Sequence, residues 1–141
     1  MIIKSSKAII VVKNKYLLQL RDNKKDIFFP NFWGLFGGRL EKNEDHSKSV
    51  KREIKEETNL VIKVLKKVLK VDFTMIGLRK KRNIIYFDCK VINSKKIILR
   101  EGQKYSFFSF NEIKRLKIVP MDFVAINCHY HKNKNFISFY R

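Results

Sequence analysis

Six of the 13 acidic residues, Glu41, Glu44, Asp45, Glu53, Glu56 and Glu57, fall in the 17 positions from Glu41 to Glu57. With about 100° of rotation per helical residue and Glu53 set at zero, Glu57 falls at about +40° and Glu56 at about −60°. Three carboxylates then share one helix face, with Ser49 on the same stripe. Val50 and Ile54, at roughly +60° and +100°, form an adjacent apolar stripe, while Lys48, Lys51 and Lys55 take the solvent side. Carboxylates at i, i+3 and i+4 repel one another by about 0.2–0.5 kcal/mol per pair on an exposed helix. A hard divalent cation offsets such repulsion, and Mg²⁺ in particular is held by a few carboxylates together with water and phosphate oxygens. Arg52 is able to pair with Glu44, or to orient a ligand carboxylate, through its planar fork. Taken by itself, the stretch from Arg52 to Glu57 also fits a solvated helix with lysine partners.

The elements that must position this helix are readable around it. Asp45 caps a helix running to Thr58, with Asn59 just past its end. Ala8 to Val12 and Tyr16 to Leu20 read as strands joined at Lys13 to Lys15. Asp22 to Phe32 reads as a loop interrupted by Pro30 and Asn31, and loops of this length often carry function. Val61 to Phe73, with a bend or bulge, Asn83 to Ile92 and Tyr105 to Phe110 supply further strands. Asn111 to Leu116 and Met121 to Tyr130 read as helices and Phe136 to Tyr140 as a terminal strand. Strands and helices interleave without a repeat or linker, so the 141 residues form one α/β or α+β domain.

Net charge is +19, from 32 Lys plus Arg against 13 acidic residues. Such a field attracts polyanions, but 24 of the 32 basic residues are Lys, so compositional drift explains the excess equally well. Drift does not explain carboxylates concentrated in one segment. Cys89 and Cys128 lack a CxxC pair and read as reduced, partly buried thiols. His46, His129 and His131 read as surface residues rather than metal ligands. No apolar run is long enough for a signal peptide or a membrane span, which leaves a cytoplasmic location by default and no membrane partner.

Gly34, Gly37 and Gly38 allow close backbone approach to a ligand, a weak phosphate-loop signal by itself. Their spacing is more specific. From Gly38, five residues lead to Glu44 and seven more to Arg52-Glu53; Ile54, Lys55, Glu56-Glu57, Thr58, Asn59 and Leu60 follow. This resembles the signature of the Nudix hydrolases and meets eight of its nine specified positions over 23 residues. Asn59 stands where the family has Gly; Asn is the usual second choice for the left-handed conformation after a helix. Phe36 replaces a Pro often found before the paired glycines.

The resemblance implies an α/β/α sandwich around a mixed sheet, and hydrolysis of a phosphoanhydride in a nucleotide-type substrate with Mg²⁺, or alternatively Mn²⁺. Divalent-metal ligands carry over to Glu53, Glu56 and Glu57 and to the carbonyl of Gly37, with Glu44 a structural partner of Arg52. The MutT branch, which cleaves nucleoside triphosphates, has a further carboxylate in a Glu-Gly-Gln segment, here Glu101-Gly102-Gln103. Glu53 is the candidate base, and Glu101 is able to exchange roles with it. The same branch places a base-reading residue two positions after a Pro, here Asp122 after Pro120; capping of backbone amides is the alternative role. Arg21 and Arg39 are candidates for phosphate contact, and Trp33 and Phe32 for base stacking or core packing. A nucleoside triphosphate is the leading substrate. ADP-ribose, a sugar nucleotide, an RNA 5′ end and a non-catalytic sensor role are the alternatives, and oligomeric state stays open.

Overall fold

The computed structural model describes residues 2–74, 80–93 and 96–131. The terminal strand expected over 136–140 lies outside them. The chain runs β1 (Ile2–Val12), β2 (Lys15–Leu20), β3 (Trp33–Gly34), β4 (Gly37–Arg39), α1 (His46–Thr58), β5 (Ile62–Thr74), β6 (Lys81–Val91), β7 (Lys104–Phe108), α2 (Phe110–Ile113) and α3 (Pro120–Tyr130).

β1 and β2 form a hairpin whose two turn residues, Lys13 and Asn14, have φ of 51° and 63°. This twist matches that of the flanking strands. The seven strands form one mixed sheet ordered β3-β2-β1-β6-β5, with β4 also pairing β1 and β7 also pairing β2. β1 runs parallel to β6 and antiparallel to β4. Two register shifts, between Val64 and Lys66 and between Lys67 and Leu69, break β5 where a bulge was expected.

Side chains alternate across a strand, and the sheet accordingly carries two cores. Ala8, Ile10, Leu17, Phe36, Ile85 and Phe87 face one way and pack with Val50 and Ile54 of α1. Ile9, Leu18, Leu35, Ile84 and Tyr86 face the other way and pack with Phe110, Ile113, Ala125 and Ile126 of α2 and α3. The result is the expected α/β/α sandwich.

β1 is longer than its hydrophobic run, which begins at Ala8. Its first half runs from Ile2 and Ile3 through the polar Lys4 to Lys7, and all of it is paired with β6. Pairing on both sides overrides the weak strand propensity of Lys4, Ser5, Ser6 and Lys7.

Asp45 caps α1 by accepting a bond from the Lys48 amide at 2.7 Å. Asn59 ends it at φ 67° and ψ 7°, in the left-handed region. An Asn59→Ala variant should lose about 1 kcal/mol of stability, whereas Asn59→Gly should equal or exceed the parent; urea denaturation checks both.

Candidate active site

β4 and the start of α1 are tied together by Arg52. Its Nε donates to Glu44 Oε2 at 2.7 Å and its Nη2 to Glu44 Oε1 at 2.9 Å, the two-pronged geometry that best suits a carboxylate. Nη2 also donates to the Arg39 carbonyl at 3.1 Å, and Nη1 donates to Glu53 at 2.9 Å and to Glu56 at 3.2 Å. Glu44 in turn accepts the Glu41 amide. Hydrogen bonding to Arg52 is the main reason Glu44 is held down to about 2.

The three carboxylates of α1 sit in different surroundings. Glu56 is exposed on the outer rim, held by Arg52. Glu53 is half-buried and lines a pocket of about 660 Å³. Burial, opposed by Arg52 and reinforced by Glu56 and Glu101, raises its pKa. A Cβ at Gly38 would lie 2.5 Å from the Glu53 carboxyl carbon, so only glycine there leaves the carboxylate its place.

Glu57 is 4% exposed. Its Oε1 accepts the Gly37 amide at 3.1 Å, while its buried Oε2 has no hydrogen-bond partner among the described residues. Burial first, then Glu101 and Glu53, push Glu57 up to about 10. A buried charge with an empty lone pair is expensive. Either a proton or a cation must satisfy it.

Glu101 is delivered by the segment that precedes β7. The Ile98 and Arg100 amides donate to the carbonyls of Thr58 and Glu57, which carries the chain along the end of α1. Gly102 then turns with φ 81°, where a Cβ would lie 2.5 Å from Gln19 Oε1. Gln103 bonds the Arg21 carbonyl at 2.8 Å and Asn31 Oδ1 at 2.9 Å, fastening the loop between β2 and β3. The Glu-Gly-Gln segment thus joins the carboxylate cluster to the wall of the pocket.

That wall contains Arg21, Phe28, Phe29, Arg39, Phe73 and Arg82. Among the described residues Arg21, Arg39 and Arg82 form no ion pair with a carboxylate. Burial, and then Arg39, lower the pKa of Arg82, as expected of cations held together without an anion. The Arg82 guanidinium lies 4.4 Å from the centre of the Phe28 ring. Phe28, Phe29 and Arg82 were not singled out in the sequence, since the loop has no periodicity and Arg82 begins a strand.

Four residues depart from expectation. Trp33 does not line the pocket; it packs edge-on against Phe108, 4.8 Å between centroids, in the core under α2 and α3. Phe32 likewise packs edge-on against Phe29 and lies under Lys117 rather than in the pocket. Asp122 is fully buried and bonded to Lys7, Tyr86 and the Leu35 amide, and it does not line the pocket. His129 is not a surface residue: it is largely covered and sits between Tyr16 and Asp88, at 2.8 and 3.0 Å. Cys89 and Cys128 are free thiols, the first buried.

The donor chemistry of the cluster suits a hard divalent cation: all the side-chain donors are carboxylates, and Glu57 offers an orphaned oxygen. No three of these groups yet converge on a single point among the described residues. Arg52 takes one oxygen each of Glu53 and Glu56, which leaves Glu53 Oε2 and Glu56 Oε1 for a cation.

The profile of the NUDIX domain matches residues 4–127. The chain belongs to the Nudix family and is a Nudix-type pyrophosphohydrolase; members act on nucleoside diphosphate derivatives and generally use a divalent metal. A MutT protein from Methanosarcina mazei Go1 is similar at 27% identity and a TM-score of 0.80, covering 95% of this chain and 96% of that one. The mismatch-repair protein MutT from methicillin-resistant Staphylococcus aureus 252 is similar at 28% identity and 0.72, covering 90% and 94%. A C. elegans Ap4A hydrolase shares the fold at 17% identity and 0.74, covering 95% and 99%. None of the curated proteins is matched. No described helix is long and apolar enough to cross a membrane.

Gly38→Ala should keep the fold but cut turnover by about 100-fold, because displacing a reacting group by roughly an ångström has that cost; steady-state kinetics and circular dichroism check it. In metal-free protein the Glu57 value rises from 4.5 unfolded to about 10 folded. The native state therefore binds the extra proton, and stability falls as pH rises across that window. Glu57→Gln should remove this decline and stabilise the metal-free protein at pH 8 by about 1 kcal/mol or more, read from thermal melts across pH.

Proposed function

We propose that the protein hydrolyses a nucleoside triphosphate to a monophosphate and pyrophosphate with Mg²⁺, Mn²⁺ serving as an alternative. The observation that carries this reading is the buried Glu57 carboxylate with an unpartnered oxygen, coupled to Glu53 and Glu101 at one end of an aromatic and cationic pocket. Glu53, Glu56, Glu57 and Glu101, with the Gly37 carbonyl, hold the metal. A bound divalent cation supplies the positive charge that offsets the charge developing on the phosphate oxygens.

The chain's own groups do the rest. Glu53 accepts the proton of the attacking water, its carboxylate kept at the pocket by Arg52 and by the space left at Gly38. Glu101 faces the same space and is able to take that role. Arg21, Arg39 and Arg82 bind the phosphates and balance their charge, while Phe28 and Phe29 give the base a face to stack on. Arg52 is a positioning residue whose main partner is Glu44.

A second reading is hydrolysis at an RNA 5′ end. A cleft of about 590 Å³ shares Phe73 and Arg82 with the pocket and is lined by Lys4, Lys70 and Lys81, which suits an anionic chain leaving the site.

A panel of nucleoside triphosphates, ADP-ribose, sugar nucleotides and 5′-triphosphate RNA with Mg²⁺ or Mn²⁺, scored for pyrophosphate against phosphate, should show pyrophosphate release from a triphosphate. Glu57→Gln should lose that turnover by about 100-fold or more. Release from no nucleotide, or full activity in the variant, refutes the reading. RNA affinity that barely falls between low and moderate salt refutes the second.

A further inference from the structure

Lys7 enters the pocket from the polar half of β1. Its Nζ donates to both oxygens of Asp122, at 2.9 and 2.8 Å. Asp122 also accepts from the Tyr86 hydroxyl at 2.6 Å and from the Leu35 amide at 2.9 Å. Asp122 accepts four hydrogen bonds from three groups and is fully buried, while the Lys7 side chain keeps 15% exposure. An ammonium has three N–H groups. Two hydrogen bonds go to Asp122, which leaves one N–H on an ammonium that lines the pocket together with Phe28, Phe29, Ile84, Val119 and Met121.

The carboxylate cancels the lysine charge, so this group is a poorer phosphate anchor than Arg21, Arg39 or Arg82. What it offers is one rigidly held donor on an apolar wall. Among the described residues, the only carboxylate lining the pocket outside the catalytic cluster is Asp26, on its exposed rim.

The geometry points to Lys7 as the group that reads a nucleobase carbonyl, with Asp122 positioning it, so that the pocket prefers carbonyl-bearing bases to adenine. This rests on the nucleotide reading above. Guanine presents the O6 carbonyl beside N7, two adjacent acceptors, and the pyrimidines also present ring carbonyls. Adenine instead sets its N6 amino donor beside the N1 and N7 acceptors. An ammonium brought to either edge therefore meets a like-polarity group, and the donor of Lys7 loses its water without full replacement.

Binding of nucleoside monophosphates tests this without requiring turnover. IMP and AMP differ at position 6, carbonyl against amine. By titration calorimetry IMP, GMP, CMP or UMP should bind the wild-type protein about tenfold tighter than AMP. Preference for IMP and GMP places the contact at purine O6; preference for CMP or UMP places it at a pyrimidine carbonyl. AMP binding within about twofold of the best carbonyl-bearing nucleotide, or tighter, overturns the proposal. Lys7→Arg should preserve the preference. The charge-balanced double variant Lys7→Met with Asp122→Asn should abolish it, by weakening the carbonyl-bearing nucleotides relative to AMP. A preference that survives in the folded double variant overturns the assignment to Lys7. Failure to hydrolyse any triphosphate would instead refute the proposed reaction, and the two failures are read in separate assays.

Discussion

Everything at the pocket depends on how the Arg52 guanidinium is shared. One side chain binds Glu44 through both prongs, the carbonyl of Arg39 on β4, and two carboxylates of its own helix. It thereby fixes the approach of β4 to α1 and bridges carboxylates that would otherwise repel. The Gly37 amide then reaches Glu57, and Gly38 leaves Glu53 its place. Loss of the Arg52 fork would free both the loop and the helix face. Its partner Glu44 is structural for the same reason that Glu57 is not: Glu44 has found its cation within the protein, and Glu57 has an oxygen still unpaired.

The second organising feature is the two-sided sheet. Alternation along β1, β2 and β6 sends one set of side chains under α1 and the other under α2 and α3. The pocket draws on both layers, taking Glu53 from α1 and Val119 and Met121 from the start of α3. Lys7 and Asp122 join β1 to α3 beneath it, so the binding wall is braced by the fold rather than carried on a loop alone.

The central helix was legible because local rules act together there: cap, periodicity, left-handed terminator and the spacing to Gly38 all agree. Glu101-Gly102-Gln103 was legible for a related reason, since a left-handed glycine and two polar neighbours each have a separate duty within three residues. The pocket wall was harder to read. Phe28 and Phe29 lie in an irregular loop, where no period distinguishes a residue facing a ligand from one facing the core. Trp33 was misplaced because the side it faces is set by pairing with distant Leu20, and Lys7 was missed because Lys4 to Lys7 resemble a polar tail until β6 is placed beside them. Asp122 was found by its distance from Pro120, but its burial depends on Lys7 and Tyr86, which lie far away in the chain.

In the proposed reaction the carboxylate cluster is a cation site that carries a proton when the metal is absent. The most direct test is calorimetric titration of Mg²⁺ at pH 7 in buffers of different ionisation enthalpy, which counts the protons released on binding. Binding that releases about one proton per Mg²⁺, with the release lost in Glu57→Gln, is the expected result. Binding without proton release, or with unchanged release in the variant, would contradict the account.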